Sequence, residues 1–167
     1  MASSVHFSLS ALLPRLVAFA RTIVGDPEIA RDLVQEAVAR ALSARRVPDV
    51  AAAYRAWMFK IVRNAAIDEI RRARLERIEQ EPAVDLWRYD NACIAKITVS
   101  QGLATLGPSH REIIALIDIA GFSYAEAAEL LDVPIGTVMS RITRARLALL
   151  AAIESSSVRP LKSSHGA

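Results

Sequence analysis

Cysteine, histidine and aromatic residues are scarce in this 167-residue chain. Aromatic side chains make up 5% of it, Cys93 is the single cysteine, and there are three histidines. One cysteine cannot form an intramolecular disulfide, and no cysteine–histidine cluster has the spacing of a zinc site. A Gly-rich phosphate loop and a nucleophile–base set are also missing. We therefore expect no metal, no cofactor and no enzymatic activity.

Long hydrophobic runs are absent as well. The most apolar stretch near the start of the chain, residues 9–24, is interrupted by Pro14, Arg15 and Arg21, which suits an amphipathic helix better than a membrane span. No segment has the layout of a secretory signal. These absences predict a cytoplasmic protein without membrane insertion.

The sequence does contain many aliphatic residues at helical spacing. It is 53% hydrophobic, and no alternation typical of strands competes with the helical pattern. We predict an all-α protein of two small helical domains, residues 1–79 and 92–154, joined by a flexible linker (80–91) and followed by a disordered tail (155–167). Residues 1–8 are expected to be loose. The predicted helices span residues 9–24, 27–43, 53–79, 92–106, 109–120, 123–131 and 135–150.

A helix-turn-helix pattern occupies residues 122–150. Ser123 and Glu126 form a capping box that starts one helix, and Pro134 separates it from the next. A second capping box is predicted at Ser109 and Glu112. Net charge is only +3, but residues 135–150 carry three arginines and no acid. This segregation favours a helix that enters the DNA major groove. The alternative is a helical hairpin whose arginines form an ordinary solvated face.

The long third helix is the other basic segment. Residues 55–77 contain seven basic and three acidic side chains, next to Tyr54, Trp57 and Phe59. Cations that follow a backbone, together with aromatics that stack on bases, suit single-stranded nucleic acid. The alternative is that these aromatics belong to the hydrophobic core.

These segments, in this order, resemble the extracytoplasmic-function (ECF) group of bacterial sigma factors in the sigma-70 family. The first half contains GDPEIARDLVQEAVARAL and YRAWMFKIVRNAAIDEIRR. The second half contains LATLGPSHREIIALIDIAGFSYAEAAELLDVPIGTVMSRITRAR, similar to the family's last domain almost end to end. The resemblance covers about residues 9–154. The C-terminal motif alone is moderately specific, whereas both halves in this order are a strong signal.

The resemblance implies a factor that binds core RNA polymerase and directs promoter-specific initiation. The first domain would recognise and melt the −10 element, and the last would read the −35 element as duplex. The implied contacts with the polymerase β′ clamp are Asp32, Gln35 and Glu36. Those with the melted −10 strand are Lys60, Arg63, Asn64, Asp68, Arg71 and Arg72. Those with the −35 duplex are Thr137, Ser140, Arg141 and Arg144.

Further expectations concern regulation and departures from the family pattern. The loop near Arg45 to Ala52 would capture a flipped base, and a separate anti-sigma factor would hold the protein inactive. Asp132 stands where the family commonly has Gly, and a normal turn is still expected because Asp tolerates left-handed backbone. Met139 stands where Lys is frequent, which weakens one expected phosphate or base contact.

Two other function classes compete with the initiation factor. One is a sigma-like decoy that binds an anti-sigma factor and not DNA, although Arg141 and Arg144 remain in place here. The other is a polymerase-independent helix-turn-helix regulator. Such a regulator would leave the DLVQE and RNAAID motifs unexplained and would usually need a dimer to read two half-sites.

Overall fold

The structure, a computed structural model, describes residues 2–79 and 94–157, with side chains for 9–76 and 99–155. Those ranges contain helices and no strand, which confirms the all-α prediction. The helices are α1 (Ala2–Val24), α2 (Pro27–Ser43), α3 (Ala51–Glu79), α4 (Ile94–Thr105), α5 (Pro108–Ile114), a π-helical segment (Ala115–Ile119), α6 (Tyr124–Leu131) and α7 (Ile135–Ser157). We refer to α1–α3 as the N-terminal unit and to α4–α7 as the C-terminal unit.

The start of α2 follows the capping rules read from the sequence. Gly25 adopts a left-handed φ of 87°, which ends α1. The Asp26 carboxylate then accepts hydrogen bonds from the backbone N–H groups of Glu28 (2.8 Å) and Ile29 (3.0 Å), and Pro27 occupies the first turn. This tight corner lets α2 fold back and pack against α1. The third helix, α3, packs against both and completes the three-helix unit.

Two predicted boundaries in this unit are wrong. Residues 2–8, expected to be loose, continue α1 in the structure, and α3 starts at Ala51 and not at Ala53. Nothing in residues 2–8 breaks a helix, and extending a nucleated helix by one residue needs little free energy. Ala51 and Ala52 are likewise good helix formers.

One predicted capping box in the C-terminal unit is also wrong. The helix α5 begins at Pro108 with Gly107 as its N-cap, and no side chain caps it. Proline has a fixed φ suited to the first helical position, so the helix starts one residue before the expected cap. Ser109 therefore lies inside the helix, and the Glu112 carboxylate is left to bind elsewhere.

The helix-turn-helix itself forms as predicted. The backbone N–H of Ser123 donates to Glu126 Oε2 (2.7 Å), and the backbone N–H of Glu126 donates to Ser123 Oγ (3.2 Å). Asp132 closes α6 with φ 54° and ψ 51°, the left-handed conformation that was expected there. Val138, Ile142 and Ala145 are buried, which confirms the predicted inner face of α7.

The two units pack against each other along α1 and α3. Three phenylalanines form an edge-to-face chain across the boundary: Phe19 to Phe59 with ring centroids 5.2 Å apart, then Phe59 to Phe122 at 5.1 Å. All three are buried. The apolar core is thus continuous from one unit to the other.

Several predictions fall partly or wholly outside the described residues. The linker at 80–91 lies there, as does most of the tail. The first three residues of the predicted tail are helical, because α7 runs to Ser157. None of the described helices combines the length and the apolar character required to cross a bilayer.

Candidate functional site

The predicted polymerase-binding residues share one exposed face of α2. Asp32, Gln35 and Glu36 are all exposed, whereas Leu33 and Val34 between them are buried. Glu36 forms an ion pair with Arg40 one turn later. Both partners are more than half exposed, so this pair contributes little stability and leaves the carboxylate accessible to another protein.

Five of the six predicted −10 residues form a strip along the outer side of α3. With 3.6 residues per turn, these five lie within about 120° of one another on the helix, and Lys60 and Arg72 are separated by about 18 Å along its axis. The five are Lys60, Asn64, Asp68, Arg71 and Arg72, all exposed.

Within the described part of the chain, the strip's arginines pair with carboxylates of their own helix. Arg72 Nη2 lies 2.6 Å from Glu69, and Arg71 Nη1 lies 3.7 Å from Asp68. Both arginines are more than two-thirds exposed, so exchanging these carboxylates for phosphate oxygens requires little desolvation. The strip can therefore receive an anionic backbone.

The sixth predicted −10 residue, Arg63, is placed differently. It lies about 60° from Lys60 around α3, on the side that faces the C-terminal unit. Its Nε donates to Glu112 Oε1 across 2.6 Å, and the two side chains are only 21% and 13% exposed. In this arrangement Arg63 is covered by protein and does not join the exposed strip.

The aromatic residues beside the strip belong mainly to the core. Tyr54 and Phe59 are buried, and Trp57 is partly buried, tilted against Tyr54 with ring centroids 5.8 Å apart. Burial also raises the pKa of the Tyr54 hydroxyl. Tyr54 and Phe59 are thus unavailable for base stacking here. For these two residues the alternative prediction, that the aromatics belong to the hydrophobic core, is confirmed.

The predicted −35 residues lie on α7 outside its buried face. Arg144 is exposed, and Thr137, Ser140 and Arg141 are partly exposed. The Ser140 hydroxyl donates to the Thr137 carbonyl at 3.0 Å, a bond that does not use its acceptor lone pairs. These side chains form one patch on the second helix of the helix-turn-helix, the helix that enters the major groove in such motifs.

Arg146, the third arginine of α7, is a structural residue. Its Nη2 and Nε donate to Asp118 Oδ1 (2.6 Å) and Oδ2 (3.2 Å) in a two-pronged pair with the π-helical segment. The hydrogen bond to Asp118 raises the pKa of Arg146, with the opposite charge adding to it. This arginine ties α7 to the π-helical segment and is not a free cation for DNA.

Arg55 is an important contact residue that the sequence does not single out. Its Nη2 donates to the Ala120 carbonyl (2.7 Å), and its guanidinium carbon lies 4.1 Å from the centroid of the Phe122 ring. It is one of the seven basic residues along α3, yet it contacts the start of the helix-turn-helix. The sequence does contain one signal of this contact. Arg55, Phe59 and Arg63 are spaced four residues apart, which places them on one side of α3.

Both halves of the chain match family models. Sigma-70 region 2 matches residues 9–76, and sigma-70 region 4 matches residues 98–149. The ECF RNA polymerase sigma factor SigL of Mycobacterium tuberculosis (strain H37Rv) is 35% identical over 138 residues, covering 78% of this chain and 78% of the relative. EcfG of Rhodopseudomonas palustris is 30% identical over 155 residues, covering 90% and 86%.

Two solved structures with a similar fold contain the related chain bound to another protein. The sigma factor RpoE of Bartonella quintana, bound to the anti-sigma factor NepR, superposes with a TM-score of 0.71 at 28% identity, covering 90% of this chain and 97% of that one. CnrH bound to the cytosolic domain of CnrY gives a TM-score of 0.61 at 29% identity, covering 88% and 85%.

Proposed function

Because the chain belongs to the ECF group of the sigma-70 family, we propose that it works through three separate surfaces as an RNA polymerase sigma factor. Asp32, Gln35 and Glu36 bind the β′ clamp of core polymerase. The α3 strip and Arg63 bind the melted −10 strand, and the α7 patch reads the −35 duplex. What carries this proposal is the exposure of the acidic α2 face, the basic α3 strip and the α7 patch on helices whose other sides form the core.

The chemistry of α3 suits strand capture. Extruding even one base from a duplex requires a few kcal/mol, and a protein can offset this only by binding the open strand more tightly than the closed one. Cations at Lys60, Arg71 and Arg72 attract the backbone along about 18 Å, while Asn64 and Asp68 can bond base edges. The flipped base would be held by the loop predicted at about Arg45 to Ala52, whose last two residues open α3.

Reading two promoter elements at once requires some reach between the units. We propose the domain limits 1–79 and 92–154 for the −10 and −35 functions. The intervening 12 residues can span at most about 40 Å when extended. One turn of DNA is about 34 Å, so the tether allows the units to contact elements more than one turn apart.

Association with polymerase is the first test. Purified protein is mixed with bacterial core RNA polymerase and passed over a size-exclusion column, beside a variant that carries Asp32→Ala and Glu36→Ala. We expect co-elution of the wild type and a clear loss for the double variant. Glu129→Ala, which removes an exposed acid from α6, is the matched control and should co-elute normally.

The same experiment separates the competing functions. Absence of co-elution at micromolar concentration would leave the decoy and the polymerase-independent regulator. Binding to duplex DNA without polymerase would then favour the regulator, and its absence the decoy.

We further propose that a separate anti-sigma protein holds this factor inactive. Support comes from the two solved relatives, which are described as complexes with the anti-sigma factor NepR and with the cytosolic domain of CnrY. The test is to copurify the tagged chain from its host under unstressed growth. The recovered partner should prevent co-elution with core polymerase, and a partner that does not compete would refute this part.

A further inference from the structure

Two uncharged side chains of α7 are exposed beside the predicted −35 patch, and neither belongs to it. Met139 is 50% exposed, and Thr143, one turn later, is also exposed. With 3.6 residues per turn, Thr143 lies about 40° from Met139 around the helix, Ser140 about 60° further and Arg144 about 40° beyond that. The two side chains therefore extend the patch on its outer surface. We call Met139 and Thr143 the apolar pair.

The chemistry of the apolar pair differs from that of the rest of the patch. The Thr143 hydroxyl donates to the Met139 backbone carbonyl at 2.8 Å, so its single donor is already used. The Met139 side chain has no donor at all. What the pair offers to a partner is a methyl group and a thioether, which is a surface for apolar contact.

Gly136 provides a second, independent indication of a close partner. It is exposed in the first turn of α7, about 20° from Thr143 around the helix. A Cβ atom at this position would meet no heavy atom of the described residues within 4 Å, so the fold leaves room for a side chain. Glycine destabilises a helix relative to alanine, and it also lets a ligand approach the backbone closely. A surface that comes close to the helix here explains why glycine is present.

The charges around the apolar pair identify that surface as DNA. Residues 135–150 contain three arginines and no acid, and Arg144 is exposed next to the pair. In the major groove, thymine is the one base that presents a methyl group, and apolar side chains, including the threonine methyl, contact it there. An apolar pair beside an exposed arginine is therefore suited to thymine.

We propose that Met139 and Thr143 are specificity-determining residues that pack on thymine C5-methyl groups in the −35 duplex. Gly136 allows the helix to come close enough for this contact. The element bound by α7 then contains thymine, on either strand, at the apolar pair. This specificity rests on the proposed −35 function of α7. It also gives a role to Met139, where the family frequently has Lys.

The DNA probe isolates one methyl group at a time. A −35 duplex is selected from a random library with wild-type holoenzyme, and each of its thymines is then replaced singly by deoxyuridine. Uracil keeps the O4 acceptor and the pairing edge of thymine and lacks only the C5-methyl. We expect replacement at one or more positions to weaken wild-type binding about threefold to fourfold, the effect of leaving one methyl group unburied.

Thr143→Ser makes the matching change on the protein, because it deletes one methyl group and keeps the hydroxyl that bonds Met139. Met139→Ala removes the thioether. Each variant should bind the thymine duplex more weakly and lose its sensitivity to uracil at a position where the wild type is sensitive. The matched control is Leu150→Ala, another exposed apolar side chain about 17 Å further along α7. It should keep wild-type affinity and wild-type sensitivity to uracil.

Gly136→Ala tests the close approach of the helix. The added methyl group fits the free chain, so this variant should melt at or above the wild-type temperature. It should nevertheless bind the selected duplex more weakly, because the methyl group occupies space that the DNA needs. Unchanged affinity would overturn the role of Gly136. Circular dichroism and co-elution with core polymerase confirm that every variant is folded and forms holoenzyme.

The outcomes separate the thymine contact from the −35 function beneath it. Wild-type affinity that is unchanged by every uracil replacement would overturn the contact, while a loss of binding in Arg144→Ala would keep the −35 function. Equal uracil effects in the wild type, Met139→Ala and Thr143→Ser would overturn it as well, because the methyl group would then be bound elsewhere. A library that yields no preferred duplex, despite co-elution with polymerase, would refute the −35 function itself.

Discussion

At the scale of the residue, Glu126 makes the start of the helix-turn-helix sensitive to acid. The hydrogen bond from the Ser123 backbone N–H lowers the pKa of its carboxyl, the Ser123 hydroxyl and the nearby charge of Arg55 lower it further, and partial burial opposes them. A pKa lowered on folding means that the charged carboxylate stabilises the fold above the unfolded pKa of about 4.3. This stabilisation is lost as the pH falls through the folded pKa.

We therefore predict a pH-dependent effect of Glu126→Gln. The variant should melt below the wild type at pH 7, and the difference in Tm should shrink as the pH is lowered beneath 4. Thermal melts followed by circular dichroism from pH 7 to pH 3 measure it, with Glu129→Gln on the same helix as the control. A difference that stays constant over this range would contradict the role of the charged capping box.

At the scale of the element, α7 divides its three arginines between DNA and the fold. Arg144 points to solvent, whereas Arg146 holds Asp118. Removing an arginine that bonds a base edge bidentately reduces affinity by about 1–3 kcal/mol, which is roughly 5-fold to 150-fold. Breaking a half-exposed ion pair has an effect of about 0–1 kcal/mol on stability.

This division predicts opposite phenotypes for two neighbouring substitutions. Arg144→Ala should weaken holoenzyme binding to its duplex promoter about tenfold and leave Tm nearly unchanged, and Arg141→Ala should also weaken it. Arg146→Ala should lower Tm slightly and change binding less than threefold. The promoter fragments are selected from a random library with wild-type holoenzyme, and co-elution with core polymerase is checked for every variant. Similar losses of affinity for Arg144→Ala and Arg146→Ala would refute the division.

Local sequence signals explain which elements were predictable. The cap at Asp26, the capping box at Ser123 and the left-handed turn at Asp132 depend on neighbours within a few residues, and all three formed as expected. The fates of Glu112, Arg55 and Arg146 depend on partners 28 to 65 positions away. Periodicity within one helix cannot identify such partners, so the exposed strips were foreseen and the contacts between helices were not.

At the scale of the whole molecule, the continuous aromatic chain couples the stability of the two units. Phe59 and Phe122 are buried and pack edge to face across the boundary, and Arg55 covers the Phe122 ring from the other unit. Domains that share buried apolar surface unfold together, whereas domains that only share a tether unfold independently.

Calorimetry tests this coupling without DNA or polymerase. We predict one endotherm for the wild type. A variant that combines Arg55→Gln with Glu112→Gln disrupts the Arg55–Ala120 and Arg63–Glu112 contacts between the units. Its endotherm should therefore split or broaden, with the less stable unit melting first. The Glu129→Gln control should keep a single transition. Two separate transitions in the wild type would mean that the interface is too weak to join the units.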